Sequence, residues 1–294
     1  MTALGRVWPA LLAPLLFGLG TAAAKGLLAD IPPVLLAGLL YLGSGLGLGL
    51  VWVLRRGSPV ETRLAKSDLP WLAGAVLCGG VAGPVLMMSG LARTSASAAS
   101  LLLNLEASFT ALLAWTLFEE RATSRVAAGL ALALAGAAVL SWPASGSFAD
   151  TRWQGSLLIA LACLAWGFDN NLSQRISGKD PVAIAAVKGL AAGVVNCVFA
   201  FAAGALVPGA VLLGKAALLG FLSYGVSLVC FIMALRRLGS ARTGLFFSLA
   251  PFFGAAAGIL FLREPVTARL MIAAAFMAVG AGLALGAPPS AELL

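Results

Sequence analysis

The sequence predicts an all-α integral membrane protein: ten transmembrane helices, built as two inverted five-helix repeats around a central cavity. Three observations carry that expectation. The 294-residue chain is 61% hydrophobic and only 10% charged, against about 25% charged in an ordinary soluble domain. Its apolar residues gather into ten stretches, each about the length of a helical span. The second half also repeats the first. Sliding LARTSASAASLLLNLEASFTALLAWTLFEER (91–121) onto LRRLGSARTGLFFSLAPFFGAAAGILFLREP (235–265) puts Leu105 on Leu249, Phe109 on Phe253 and Glu120 on Glu264. The same offset carries Gly136 onto Gly280, and near the start of each half Phe17-Gly18 matches Trp166-Gly167.

The stretches fall at about 7–28, 33–54, 69–91, 95–118, 125–142, 153–174, 181–204, 210–235, 242–262 and 267–286. A span needs roughly 20 residues, somewhat more when tilted, so these lengths suit helices. A membrane barrel would need short alternating segments, whereas these runs are continuously apolar. The first stretch follows Arg6 and contains Ala22-Ala23-Ala24, as a cleaved signal peptide would. Cleavage would remove the match to Trp166-Gly167, so the segment reads as an uncleaved first span. The halves divide as 1–148 and 149–294 within one membrane unit.

Five spans per half is an odd number, so the halves must insert with opposite orientation. With the N-terminus cytoplasmic, twelve of the 19 basic residues fall on the inside, among them Arg55, Arg56, Arg63 and Lys66. Six fall outside, and Lys188 lies within a span. Basic residues accumulate on the cytoplasmic side, which places both termini there, in a bacterial inner membrane. Trp8, Trp52, Trp71, Trp142 and Trp153 sit near span ends and read as interface anchors. The net charge of +8 belongs to this orientation signal. No basic helix or aromatic motif accompanies it, so nucleic acid is not an expected partner.

Glycine pairs spaced four apart suit close helix contact: Gly43/Gly47, Gly45/Gly49, Gly79/Gly83, Gly189/Gly193 and Gly254/Gly258. Pro14, Pro84 and Pro251 each delete a backbone hydrogen bond within a span. Such a kink is either architectural or a means of turning carbonyls toward a cavity. Four cysteines lie in apolar runs without CxxC spacing and read as packing residues, and histidine is absent. No metal and no cofactor is expected.

The pattern resembles the EamA-type drug/metabolite transporter superfamily. The matching residues are Phe109-Thr110-Ala111-Leu112, Phe118-Glu119-Glu120-Arg121 and Gly136, then Leu249-Ala250-Pro251-Phe252, Leu262-Arg263-Glu264-Pro265 and Gly280. The likeness covers nearly the whole chain as two repeats. It departs from the family at Ala107, where proline is frequent in the fourth span. The resemblance implies ten helices, a central cavity and alternating access. Its nearest likeness is to bacterial exporters of neutral and aromatic amino acids.

Ionisable groups in lipid are expensive and mark function or pairing. Glu106, Asp169 and Lys188 lie within spans and have no counterpart in the other half: Glu106 falls on Ala250, and Lys188 on Leu40. They are candidate substrate ligands, or a helix-locking ion pair to Lys188. Lys25 lies at a span mouth. Asn104 and its counterpart Ser248, with Tyr224, are candidate hydrogen-bonding groups. Phe17, Trp166, Trp115, Met87 and Phe231 are candidate apolar lining, or else lipid-facing or core. Glu120 and Glu264 each precede the first turn of the next helix, where a carboxylate meets a positive dipole end; they read as structural.

The expected partners are therefore a small-molecule substrate and the lipid bilayer. A neutral or aromatic amino acid fits best, other amphipathic compounds next. An intramembrane enzyme is disfavoured, since there is no histidine, paired aspartate or phosphate-loop motif. A channel or scramblase stays open.

Overall fold

The computed structural model describes residues 3–55, 64–117, 124–142, 152–176, 178–238, 243 and 246–285. These residues form ten helical rods. In the first half, α1 (Ala3–Leu27) and α2 (Pro33–Leu54) are single helices. The third rod, α3, runs from Lys66 to Arg93 and passes through a π turn at Val76–Ala82. α4 joins Ala96–Leu102 to Asn104–Leu117 across a break at Leu103. α5 is Ser124–Ser141. The second half continues with α6 (Arg152–Gln174) and α7 (Pro181–Ala202). α8 spans Ala210–Leu238 with its own π turn at Phe221–Val226. α9 (Ala250–Phe261) and α10 (Ala268–Leu285) complete it.

Seven rods are long and apolar enough to cross a membrane: α1 to α5, α7 and α8. α9 and α10 are apolar but shorter. α6 falls short of the others because Asp169, Asn170 and Asn171 dilute its apolar character.

Local chemistry marks the rod ends. Ser95 caps α4, its Oγ accepting from the Ala98 amide at 3.2 Å. Asp180 caps α7, its carboxylate accepting from the amides of Val182 (2.9 Å) and Ala183 (3.3 Å). Pro181 follows at the first helical position, where its missing N–H costs nothing.

Sequence counterparts pack on each other. α2 lies against α7, and α5 against α10. Both pairs run antiparallel: Gly38 meets Cys197 while Gly45 meets Gly189, and Gly136 meets Ala273 while Gly280 meets Gly129. A methyl placed on Gly189 would stand 2.8 Å from the Gly45 Cα, so backbone approach explains these glycines. Gly43 and Gly47 seat α2 on α8, against Ala217 and Phe221. Gly49, expected to pack in the same way, has nothing within 4 Å. The first rods are exchanged between halves: α1 packs on α8 and α9, and α6 packs on α3 and α4.

The surface is apolar where a soluble protein's would be charged. Leu46, Leu50, Val53, Phe199 and Val211 face outward, each more than half exposed. Such a broad apolar exterior matches a lipid solvent.

Candidate functional site

A cavity of about 810 Å³ lies where the halves meet. Its wall draws on α1, α2 and α4 to α10. It reaches Val126 at the start of α5 and Gln174 at the end of α6, so it extends to that end of the bundle. The opposite end is pinned. There Lys25 of α1 donates to the carbonyls of Leu91 (2.7 Å) and Ala92 (3.3 Å), near the end of α3. Glu264, just after α9, accepts from the amides of Ala96 (2.6 Å) and Ser97 (2.8 Å), which open α4.

That position corrects the expectation for Glu264. It neutralises a helix N-terminus, but that of α4 in the other half rather than the following α10. The chain reverses sharply at Arg263, whose φ of 55° is left-handed, and this swings the Glu264 side chain back toward α4. Glu120 lies outside the described residues.

The charged centre is built on α6 and α7. Asp169 forms an ion pair with Lys188. Only 6% of Asp169 is exposed, so the carboxylate of the pair is buried, while Lys188 is partly exposed on the cavity wall. Ser173, one turn along α6, donates to its other oxygen at 3.0 Å. The room for Asp169 comes from Gly79 in the π turn of α3, since any Cβ there would collide with the carboxylate.

That π turn explains Pro84. Backbone bonding shifts register through the turn, with the Gly83 amide donating to the Cys78 carbonyl. Proline 84 has no N–H to continue the ladder. The carbonyls of Gly79 and Gly80, five and four residues earlier, find side-chain donors instead. Tyr41 (2.7 Å) and Trp166 (3.0 Å) donate to Gly79, and Asn196 (3.0 Å) donates to Gly80. The freed carbonyls thus meet protein donors, and three rods converge to brace the turn before Pro84.

Glu106 lies on α4 across from this pair. Asn170 Nδ2 donates to its Oε1 at 3.0 Å and to Thr110 Oγ1 at 3.1 Å. Thr110 in turn donates to the Glu106 carbonyl at 2.8 Å. Asn171 ties α6 to α4 by donating to the Thr110 carbonyl at 3.1 Å. One turn before Glu106, α4 breaks without proline. Asn104 repairs the break, its Nδ2 donating to the Leu101 carbonyl at 2.9 Å. The chain turns again at Ser248 and Leu249, the counterparts of Asn104 and Leu105, before Ala250 resumes the helix.

Five rings line the rest of the wall. Tyr41 contacts Tyr224 (5.5 Å between centroids), which contacts Phe17 (5.9 Å). Phe17 contacts Phe247 (5.6 Å), and Phe247 contacts Phe231 (4.9 Å).

The structure thus brings most of the candidate residues to one place. Lys188, Glu106, Asp169 and Asn104 are on the cavity wall. So are Tyr224, Trp166, Phe17, Phe231 and Ser248. Met87 is not; it is 2% exposed and packed in the core with Met88 and Leu91. Trp115 faces outward, 49% exposed, away from that wall. Both lie on the wrong helix face, and apolar side chains give no sequence cue to which face that is. Tyr41, Asn196, Thr110 and Asn170 were not anticipated as partners. Pro84 was the available signal for the first two, since a proline inside a span demands donors for freed carbonyls. Among the described residues, no cluster of three metal-ligating side chains occurs.

A multi-span helical bundle with a charged, aromatic-lined cavity between two repeated halves defines a membrane transporter. Comparison with known proteins agrees. The sequence matches the EamA-like transporter family over residues 6–142 and again over 153–286, and the chain belongs to that family. It is 28% identical over 284 residues to an uncharacterized transporter of Methanothermobacter thermautotrophicus, covering 91% of this chain and 82% of that protein. A solved crystal structure with 21% identity superposes with a TM-score of 0.70, covering 95% of each chain, which supports the fold.

Proposed function

We propose that the protein is a secondary transporter that exports small, largely apolar metabolites carrying amino and carboxylate groups, with neutral and aromatic amino acids foremost. The observation that carries this reading is the 810 Å³ cavity, with its aromatic arc and its three charged groups on α4, α6 and α7. An apolar body is buried by the rings, and the polar end meets the charges. Preference for amino acids rests on family resemblance. No arginine is among the described residues that line the wall, where a phosphate substrate would favour a cluster of them.

Transport proceeds by alternating access. The antiparallel packing of α2 on α7 and α5 on α10 supports an inverted pair of five-helix units, 1–148 and 149–294. In a bacterial inner membrane with both termini cytoplasmic, the cavity opens inward and the Lys25 and Glu264 contacts close the outer end. Single-cysteine labelling from outside should reach residues 150–152 and miss 58–66; the opposite pattern overturns the orientation.

Counterflow in proteoliposomes tests the activity. A panel of amino acids should show saturable exchange without ATP. Non-saturable flux makes the protein a channel, and strict ATP dependence ends the carrier reading.

A further inference from the structure

The two members of the buried ion pair offer different things to a ligand. Asp169 is spent on the protein. It is 6% exposed, fits the niche over Gly79, and gives one oxygen to Lys188 and the other to Ser173. Lys188 is not spent in this way. An ammonium carries three N–H donors. Among the described residues Asp169 takes one of them, and the Lys188 side chain is 18% exposed on the cavity wall. Lys188 can therefore donate to a ligand without leaving Asp169. Leaving it would strand a buried carboxylate.

Glu106 is the complementary group on the same wall. Its Oε1 accepts from the Asn170 amide, and among the described residues Oε2 accepts from none. Glu106 and Lys188 lie close enough for the charge of one to act on the other. The wall thus presents a cationic donor and an anionic acceptor together. Each attracts the ligand charge that the other repels, which fixes the direction of a ligand carrying both.

We propose that Lys188 and Glu106 read the two ends of a zwitterion: Lys188 donates to the carboxylate while still paired to Asp169, and Glu106 accepts from the ammonium. Asp169 and Asn170 are positioning residues, the first holding Lys188 and the second Glu106. The ligand side chain lies along the arc of Tyr41, Tyr224, Phe17, Phe247 and Phe231. The inference rests on the amino-acid reading above and deepens it, because it gives each ligand charge a named residue and makes both charges necessary.

Calorimetric binding to the purified full-length protein tests it, with phenylalanine, phenethylamine and 3-phenylpropanoate as probes. The three share one apolar body; the second lacks the carboxylate and the third lacks the ammonium. Phenylalanine should bind about ten-fold or more tightly than either, since each loss removes a charge-assisted hydrogen bond. Each variant should then act on one comparison. Glu106→Gln should erase the advantage of phenylalanine over phenylpropanoate and keep its advantage over phenethylamine. The double change Asp169→Asn with Lys188→Met, which removes the buried pair as a unit, should do the reverse. A merely structural role would weaken all three probes alike. If either single-charge probe binds the unmodified protein as tightly as phenylalanine, the inference fails; this comparison needs no variant. It also fails if both preferences survive both changes in monodisperse protein. Saturable counterflow with the amino-acid panel leaves the transport reading standing in either case. If no probe binds and there is no counterflow, both readings fall.

Discussion

The π turns of α3 and α8 occupy equivalent places in the two halves and are completed differently. Val76–Ala82 maps by the 144-residue offset onto the positions around Phe221–Val226, so the backbone irregularity is repeated. In α3 the residues inside the turn are Gly79 and Gly80, and in α8 their counterparts are Ser223 and Tyr224. Glycine at 79 admits the Asp169 carboxylate. In the other half the relation is reversed: the glycine is Gly20 on α1, and Ser223 of the turn packs into it. Pro84 follows the first turn and Leu228 the second. The proline-backed turn draws in Tyr41, Trp166 and Asn196 as donors. The other turn puts Ser223 and Tyr224 on the cavity wall. A duplicated backbone thus became a braced seat for buried charge on one side and a contact surface on the other.

The comparison breaks most severely at Gly79. Gly79→Ala should abolish monodisperse protein on size exclusion, because the new methyl occupies the place of the Asp169 carboxylate. Its counterpart change, Ser223→Ala, should leave the protein folded. Tolerance of both would mean that the two turns are not specialised as described.

Asp169→Asn comes next. It leaves the Lys188 ammonium without its carboxylate, which costs about 3–5 kcal/mol for a buried pair. Lys188→Met should be similarly destabilising and should reduce transport. The double variant should recover more than half of the summed loss in denaturation measurements. Simple additivity would show that the pair is not coupled.

A smaller contrast separates the two tyrosines. Tyr41→Phe removes one donor to the Gly79 carbonyl and should cost about 1 kcal/mol. Asn196→Ala, which strips the side-chain donor from Gly80, should cost about 1–3 kcal/mol. Tyr224→Phe should stay within about 0.5 kcal/mol in stability, and its effect should appear in substrate affinity. Equal destabilisation by Tyr41→Phe and Tyr224→Phe would erase the distinction between brace and contact surface.

The smallest expected effect is at the closed end. Glu264→Gln weakens the charge-assisted cap on α4 by about 1 kcal/mol, read as a modest fall in melting temperature. The same change at Glu120 shows whether the second half is capped alike.

Much of this was legible in the sequence, because the relevant forces are local or periodic. Hydropathy places seven of the rods as clear spans, since a segment in lipid must satisfy its own backbone, while α6, α9 and α10 fall short of that mark. The ion-bearing positions stand out because charge is rare in spans and because Glu106, Asp169 and Lys188 break the repeat. Four-residue glycine spacing marks close contacts, and it misleads only at Gly49, whose neighbourhood is empty.

Other features depend on where distant rods meet. Lys188 has a choice of partners in the sequence; α6 and α7 both pack on the π turn of α3, where Lys188 reaches Asp169 and Glu106 is left to Asn170. Met87 and Trp115 resemble Phe231 and Trp166 in chemistry, yet one is in the core and one faces outward, because apolar side chains carry no label for the face they occupy. The break in α4 occurs without proline because Asn104 supplies the missing donor. The sequence by itself determined the class of protein, its spans and its rare charges, through solvation energies that each segment meets alone. Only the tertiary structure decided which of these charges pair, since Coulombic pairing depends on distances between helices far apart in the chain.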